Sequence, residues 1–143
     1  MSTSDNLATI RRLFNALNKL DVAVLDELCT PDYSLHFPGA PGPLPREAAK
    51  HFFGMFFAAF GDIQHDLEDM LAEDDKVSVR LTVHGTHTGA FQGMPPTGKP
   101  ISIGSINLFH LRDGKVAEQW VQTDTLGMLQ QLGAMPAPEP ATA

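Results

Sequence analysis

The side chains best suited to chemistry lie in the last third of the chain, in the run Glu118-Gln119-Trp120-Val121-Gln122-Thr123-Asp124 and the apolar stretch before it. Asp124 is the leading acid/base residue. In a dry, aromatic-lined cavity its pKa would rise, which suits proton transfer near neutral pH. It also directly precedes Thr125-Leu126, where it can simply cap a closing helix. Asn107 is a lone amide in a β-rich apolar run. It can hold a carbonyl or enolate oxygen with its NH2 group, or stand as a satisfied core amide. Trp120 and Gln122 offer a flat surface and an amide to a ring-shaped ligand, and Trp120 fits core packing equally well. Tyr33 and His36 share a short strand ahead of a Pro-rich loop, with His36 as the alternative base. Phe53 and Phe56 supply a greasy wall. The set suits a small apolar carbonyl compound and an enolisation step.

The other polar residues read as structural. His84 and His87 are three apart on a strand, hence on opposite faces, with no acidic or cysteine ligand near them in sequence. No metal site is expected from them. His51 and His65 read as surface or edge residues, Arg80 as part of a solvated strand face, and 66–75 as a solvated acidic strand and turn. The chain has 143 residues, a net charge of −7 and no Lys/Arg cluster, which fits one domain without the basic footprint that nucleic acid requires. Cys29 is the only cysteine, so no intramolecular disulfide can form. The first six residues lack the basic segment of a signal peptide, and the apolar run 52–60 is far shorter than the ~20 residues of a bilayer span. A cytoplasmic protein with no membrane partner is expected.

The periodicities say what must position these residues. Leu7, Ile10, Phe14 and Leu17 recur at helical spacing, with Leu13 beside them. Asp21 is placed to cap a second short helix through Leu28, ended by Thr30-Pro31. A strand over 33–37 leads into Pro38, Pro41, Pro43 and Pro45. The helix over 46–60 carries five of the nine phenylalanines, and Ala49, Phe52, Phe53, Phe56 and Phe60 form its buried stripe. From Asp62 the period becomes two: Ile63, His65 and Leu67 share one face, then Val77, Val79, Leu81 and Val83, with Asp74-Asp75 between as the turn. A hairpin about Asp113-Gly114 follows, over 101–111 and 115–123. Helices first and long antiparallel strands after argue an α+β domain over 1–133 with a disordered Ala/Pro-rich tail over 134–143.

The last hairpin allows two registers. With a plain two-residue turn, Asn107, Phe109, Glu118, Trp120, Gln122 and Asp124 share one face. An extra bulged residue flips the parity and gives Asn107 the company of Gln119, Val121 and Thr123. Asp-Gly favours the first register. In that register Ile106, Leu108 and Val121 form an uncovered apolar outer face, from which a homodimer is expected.

His84-Gly85-Thr86-His87-Thr88-Gly89, the loop Gly93-Met94-Pro95-Pro96-Thr97-Gly98-Lys99, the Asp113-Gly114 turn, the 118–124 run and the closing Gln131-Leu132-Gly133 occur in an order that resembles the SnoaL-like polyketide cyclases. These are a branch of the nuclear-transport-factor-two-like cone folds, in which a bent antiparallel sheet wrapped by helices leaves a pocket at its open end. The resemblance runs from about Leu7 to Gly133. It implies an aldol ring closure on an aromatic polyketide ester with neither metal nor cofactor, by a carboxylate on the last strand and a histidine on the strand before. Counted from the shared Asp113-Gly114-Lys115 turn, those two positions hold Val121 and Asn107, which points to a divergent member. A non-catalytic binder of small ligands, an epoxide hydrolase and a ketosteroid-isomerase-like enzyme are the alternatives on the same fold. The Asp-Arg-Asp group of the second is absent, and the acid partner of a tyrosine that the third needs cannot be assembled.

Overall fold

The computed structural model describes residues 2–136, so residues 137–143 of the Ala/Pro-rich tail lie outside the described residues. The element order is α1 (Thr3–Asn18), α2 (Val24–Leu28), β1 (Cys29–His36), β2 (Leu44–Pro45), α3 (Arg46–Ala59), β3 (Gln64–Glu73), β4 (Lys76–Thr86), β5 (Pro100–Arg112), β6 (Lys115–Thr123) and α4 (Thr125–Leu132). The strands form one six-stranded sheet in the order β2-β1-β6-β5-β4-β3. Among the described residues only β1 and β6 run parallel. The bent sheet with its helices is the expected cone of the α+β class.

Local chemistry sets the ends of the elements. Ser2 and Asp5 make a reciprocal capping box, so α1 begins four residues before its apolar stripe. Ile10, Leu13, Phe14 and Leu17 are its buried face, packed on the sheet. Asp21 does not cap α2. Its N–H closes the end of α1 on the Ala16 carbonyl, and Ala23 stands at the cap without a side-chain bond. Thr30-Pro31, expected to end a helix, instead lies inside β1. Among the described residues no helix is long and apolar enough to cross a membrane.

Two further expectations need correction. First, Phe52, Phe53 and Phe56 are only partly buried, while Phe57 and Phe60 are enclosed; the three open rings face a cavity rather than solid core. Second, the last hairpin takes the other register. Its turn is the two-residue one, with Arg112 opposite Lys115 and Asp113 and Gly114 at φ 53° and 79°. One pair later Leu111 faces Val116 but His110 faces Glu118, so Ala117 is an extra residue on β6. The pairing of β1 with β6 slips at the same level, between Cys29 and Ser34. Pro31, which has no N–H to give a ladder, lies within that slip. The bulge turns every later β6 side chain over. Gln119, Val121 and Thr123 face inward with Asn107. Trp120 and Gln122 face outward, with Ile106 and Leu108.

Candidate active site

A cavity of about 150 Å³ lies between the concave sheet and the helices. Phe52, Phe53, Phe56 and Phe57 of α3 and Phe60 just after it form one wall, helped by Phe14 and Leu17 of α1 and Phe91 of the β4–β5 loop. Most of the ring pairs are edge-on or tilted, as Phe52 to Phe56 at 5.3 Å and Phe56 to Phe91 at 5.2 Å between centroids, while Phe53 stacks on Phe57 at 6.5 Å. The opposite wall is the sheet. Apolar Leu81 and Val83 of β4 and Ile101 and Ile103 of β5 surround a polar strip made by Ser105, Asn107 and Gln119.

The strip is a hydrogen-bonded chain with a fixed direction. Ser105 Oγ lies 3.2 Å from the Gln122 carbonyl oxygen, which can only accept, so the hydroxyl donates there. Ser105 Oγ must then accept from Asn107 Nδ2 at 3.2 Å. That orientation turns Asn107 Oδ1 toward Gln119 Nε2 at 2.9 Å. Gln119 Oε1 in turn accepts from the Tyr33 hydroxyl at 2.7 Å. One backbone carbonyl thus sets both amide orientations. Each NH2 group uses one hydrogen in the chain and keeps a second, so Asn107 and Gln119 each have an N–H donor to spare on the cavity wall. Burial pushes the Tyr33 phenol well above its usual value, so it stays a neutral donor.

His65 of β3 is the one ionisable side chain on the wall among the described residues. Asn18 Oδ1 accepts the His65 backbone N–H at 2.8 Å, which identifies that atom as the oxygen. The His65 Nδ1, 2.7 Å from the same oxygen, must therefore carry a hydrogen, and Nε2 is the lone-pair nitrogen. Burial lowers the imidazole to about 4, partly offset by the neighbouring Asp66.

The residues named from the sequence separate into groups. Asn107, Phe53 and Phe56 line the cavity together. Tyr33 sits behind Gln119 and reaches the cavity only through it. His36, Trp120 and Gln122 belong to the outer face. His36 stacks on Trp120 with ring centroids 5.0 Å apart and pairs with Glu118 at 2.6 Å, while His110 meets the other side of the indole. Asp124 is exposed, and its Oδ1 accepts the Gly127 N–H at 2.9 Å as the cap of α4. The bulge at Ala117 accounts for Trp120 and Gln122, and the start of α4 accounts for Asp124. Gln119, Ser105 and His65 were missed. The second register contained Gln119, and His65 lies between Ile63 and Leu67 in the alternation that marks the inner face.

Comparisons with known proteins bear on this arrangement. The sequence model of one family, SnoaL-like polyketide cyclase, matches residues 8–132. An aklanonic acid methyl ester cyclase of Streptomyces peucetius is 34% identical over 147 aligned positions, covering 97% of this chain and 97% of the relative. Among solved structures, wild-type IdmH of Streptomyces antibioticus, provisionally assigned as a polyketide cyclase, superposes with a TM-score of 0.80 at 34% identity, covering 90% of this chain and 98% of that one. AclR of Streptomyces galilaeus, provisionally assigned as a hydroxylase, reaches 0.87 at 27% identity over 96% of this chain and 87% of its own.

Proposed function

The chain belongs to the SnoaL-like polyketide cyclase family, and from that premise we propose that it takes a flat, carbonyl-bearing polyketide ester into the cone and promotes an aldol-type ring closure. The reaction is an isomerisation. A proton leaves a carbon flanked by carbonyls, that carbon bonds to a ketone carbon, and the ketone oxygen takes up a proton. A carbon so flanked is already acidic, so most of the task is to hold the oxygen on which negative charge develops. The observation that carries the reading is the fixed amide chain. Its two spare N–H groups, on Asn107 and Gln119, lie on a mostly apolar wall. Donors preorganised in a water-poor site cost little reorganisation as charge builds. Phe53 and Phe56 pack the rings.

One observation favours a second reading, ligand binding without turnover. Among the described residues no carboxylate lines the cavity, and Asp124 is occupied as a cap. Incubation with aklanonic acid methyl ester, the compound named in the relative's activity, separates the two. Ring closure leaves the mass unchanged and shifts the chromatographic retention. Asn107→Leu should reduce it by about 10²-fold or more, while Asp124→Asn should leave it intact. Saturable binding with no retention shift would favour the binding reading.

A homodimer through the outer sheet face is part of the same proposal. Ile106 is 55% exposed and Leu108 37%, beside the His36–Trp120 stack. Apolar side chains in such a patch are suited to a second copy. Light scattering at micromolar concentration should give twice the monomer mass for the wild type and the monomer mass for Ile106→Asp.

A further inference from the structure

The cavity has a second polar pole that the ring-closure reading leaves unused. Asn107 and Gln119 offer hydrogens, whereas His65 offers a lone pair. Asn18 fixes which nitrogen that is, since its Oδ1 holds both the His65 backbone N–H and Nδ1–H. Nε2 has no hydrogen-bond partner among the described residues, on a ring that lines the cavity. An imidazole there is neutral across the physiological range, because burial has lowered it to about 4. A neutral, tautomer-locked ring is a fixed acceptor.

The two poles stand apart. His65 pairs with Val83 on β4, and Val83 pairs with Ile103 on β5, four residues before Asn107. With one strand between them, β3 and β5 are ~10 Å apart. Leu81 and Val83 make the wall in between apolar. Phe14 bridges the same gap from α1, its ring 5.4 Å from His65 and 6.0 Å from Phe109, the inward neighbour of Asn107. An apolar slot with donors at one end and an acceptor at the other is complementary to a fused-ring ligand with a carbonyl at one end and a hydroxyl at the other.

We propose that His65 selects the ligand: its Nε2 accepts a hydrogen bond from a hydroxyl at the end of the fused rings opposite the carbonyl held by Asn107 and Gln119. The inference rests on the reading above, in that it needs a flat carbonyl ligand in the cone. It differs from a purely structural clamp of α1 to β3, which would make His65 indifferent to the ligand's substituents.

Calorimetric titration with two bicyclic ketones tests it: 6-hydroxy-1-tetralone, which has both groups, and 1-tetralone, which lacks the hydroxyl. Wild-type protein should bind the hydroxy ketone about tenfold more tightly, the size of one net hydrogen bond. His65→Phe keeps a ring and removes the acceptor, so the preference should vanish or reverse while 1-tetralone still binds. A measurement on the unaltered protein covers poor folding of that variant. With nitrogen-15 histidine, the Nε2 resonance of His65 should read as unprotonated and shift with the hydroxy ketone but not with 1-tetralone. Equal binding of the two ketones by the wild type, a preference that survives in His65→Phe, or an unmoved Nε2 resonance would overturn the assignment and leave the carbonyl-binding reading standing. If neither ketone binds, the underlying reading falls and this one with it.

Discussion

His65 also leaves a signature in stability, and its sign can be worked out. In an unfolded chain the imidazole titrates near 6.5; in the fold it titrates at about 4, chiefly because burial disfavours the charged ring. Between those pH values the unfolded state binds a proton that the folded state does not. Stability attributable to this group is therefore full above pH 6.5 and is lost as pH falls toward 4. At 1.36 kcal/mol per pH unit the whole loss is about 3 kcal/mol, of which about 2 kcal/mol has gone by pH 5. The structural cause is specific. Nδ1 already holds its hydrogen against Asn18, and a second proton would put a charge on a ring that lines a mostly apolar cavity beside Phe14. Asp66 offsets only part of this, and its carboxylate lies 2.9 Å from His84. Asp26, Asp32 and Asp62 do not interfere, because hydrogen bonds from Lys50, Thr30 and the Thr86 backbone respectively hold each below its usual value, under the window. The assay is urea unfolding at pH 7.5 and pH 5.0 for wild type and His65→Gln. The wild type should lose about 2 kcal/mol more than the variant between the two pH values. Parallel losses would refute the burial argument and with it the neutral, locked ring.

Three further outcomes follow from single contacts. Asp124→Ala should lower stability by about 1 kcal/mol in thermal melts by removing the bond to Gly127, whereas Asp124→Asn should cost only a few tenths. Cys29 is buried and its thiol is pushed up to about 12, so native protein at pH 8 should resist iodoacetamide and be alkylated only in denaturant. Gly89→Ala would put a Cβ 2.1 Å from the Ala58 carbonyl oxygen, and the loop is tied there by Thr88 and Gly89 N–H donation to Ala59. It should destabilise by at least about 1–3 kcal/mol, measured by urea unfolding.

Much of the fold is legible because it rests on local rules. Helical spacing in the first third, period two after Asp62, and the turns at Asp74-Asp75 and Asp113-Gly114 are each written in a few neighbouring residues. The site is less legible because a single residue decides it. The Asp113-Gly114 turn forms as its residues dictate, yet Ala117 bulges one pair later and reverses the inner and outer sets. Nothing in Val116-Ala117-Glu118 announces that bulge. Its counterpart is on a strand more than 80 positions earlier, where Pro31 cannot donate to a ladder. Phe52, Phe53 and Phe56 illustrate the same limit: helical spacing marks an apolar face but does not separate solid core from cavity wall. His65 reads as an edge histidine until Asn18, 47 positions away, is known to hold its Nδ1.

The exchange of side chains at the two positions marked by the family resemblance has a physical consequence. Asn107 and Val121 stand directly opposite one another on β5 and β6. A histidine and a carboxylate there would form an ionisable pair at the back of the cavity. Asparagine and valine instead leave an amide chain that a backbone carbonyl orients, with Tyr33 held neutral above it and His65 held neutral across the cavity. The cavity wall, so far as it is described, carries no carboxylate and no group that gains or loses charge between pH 5.5 and pH 9. Activity or ligand affinity on this wall should therefore be flat across that range for a ligand that does not itself titrate. A bell-shaped profile, as a histidine–carboxylate pair produces, would mean that an ionising residue reaches the ligand from elsewhere in the fold.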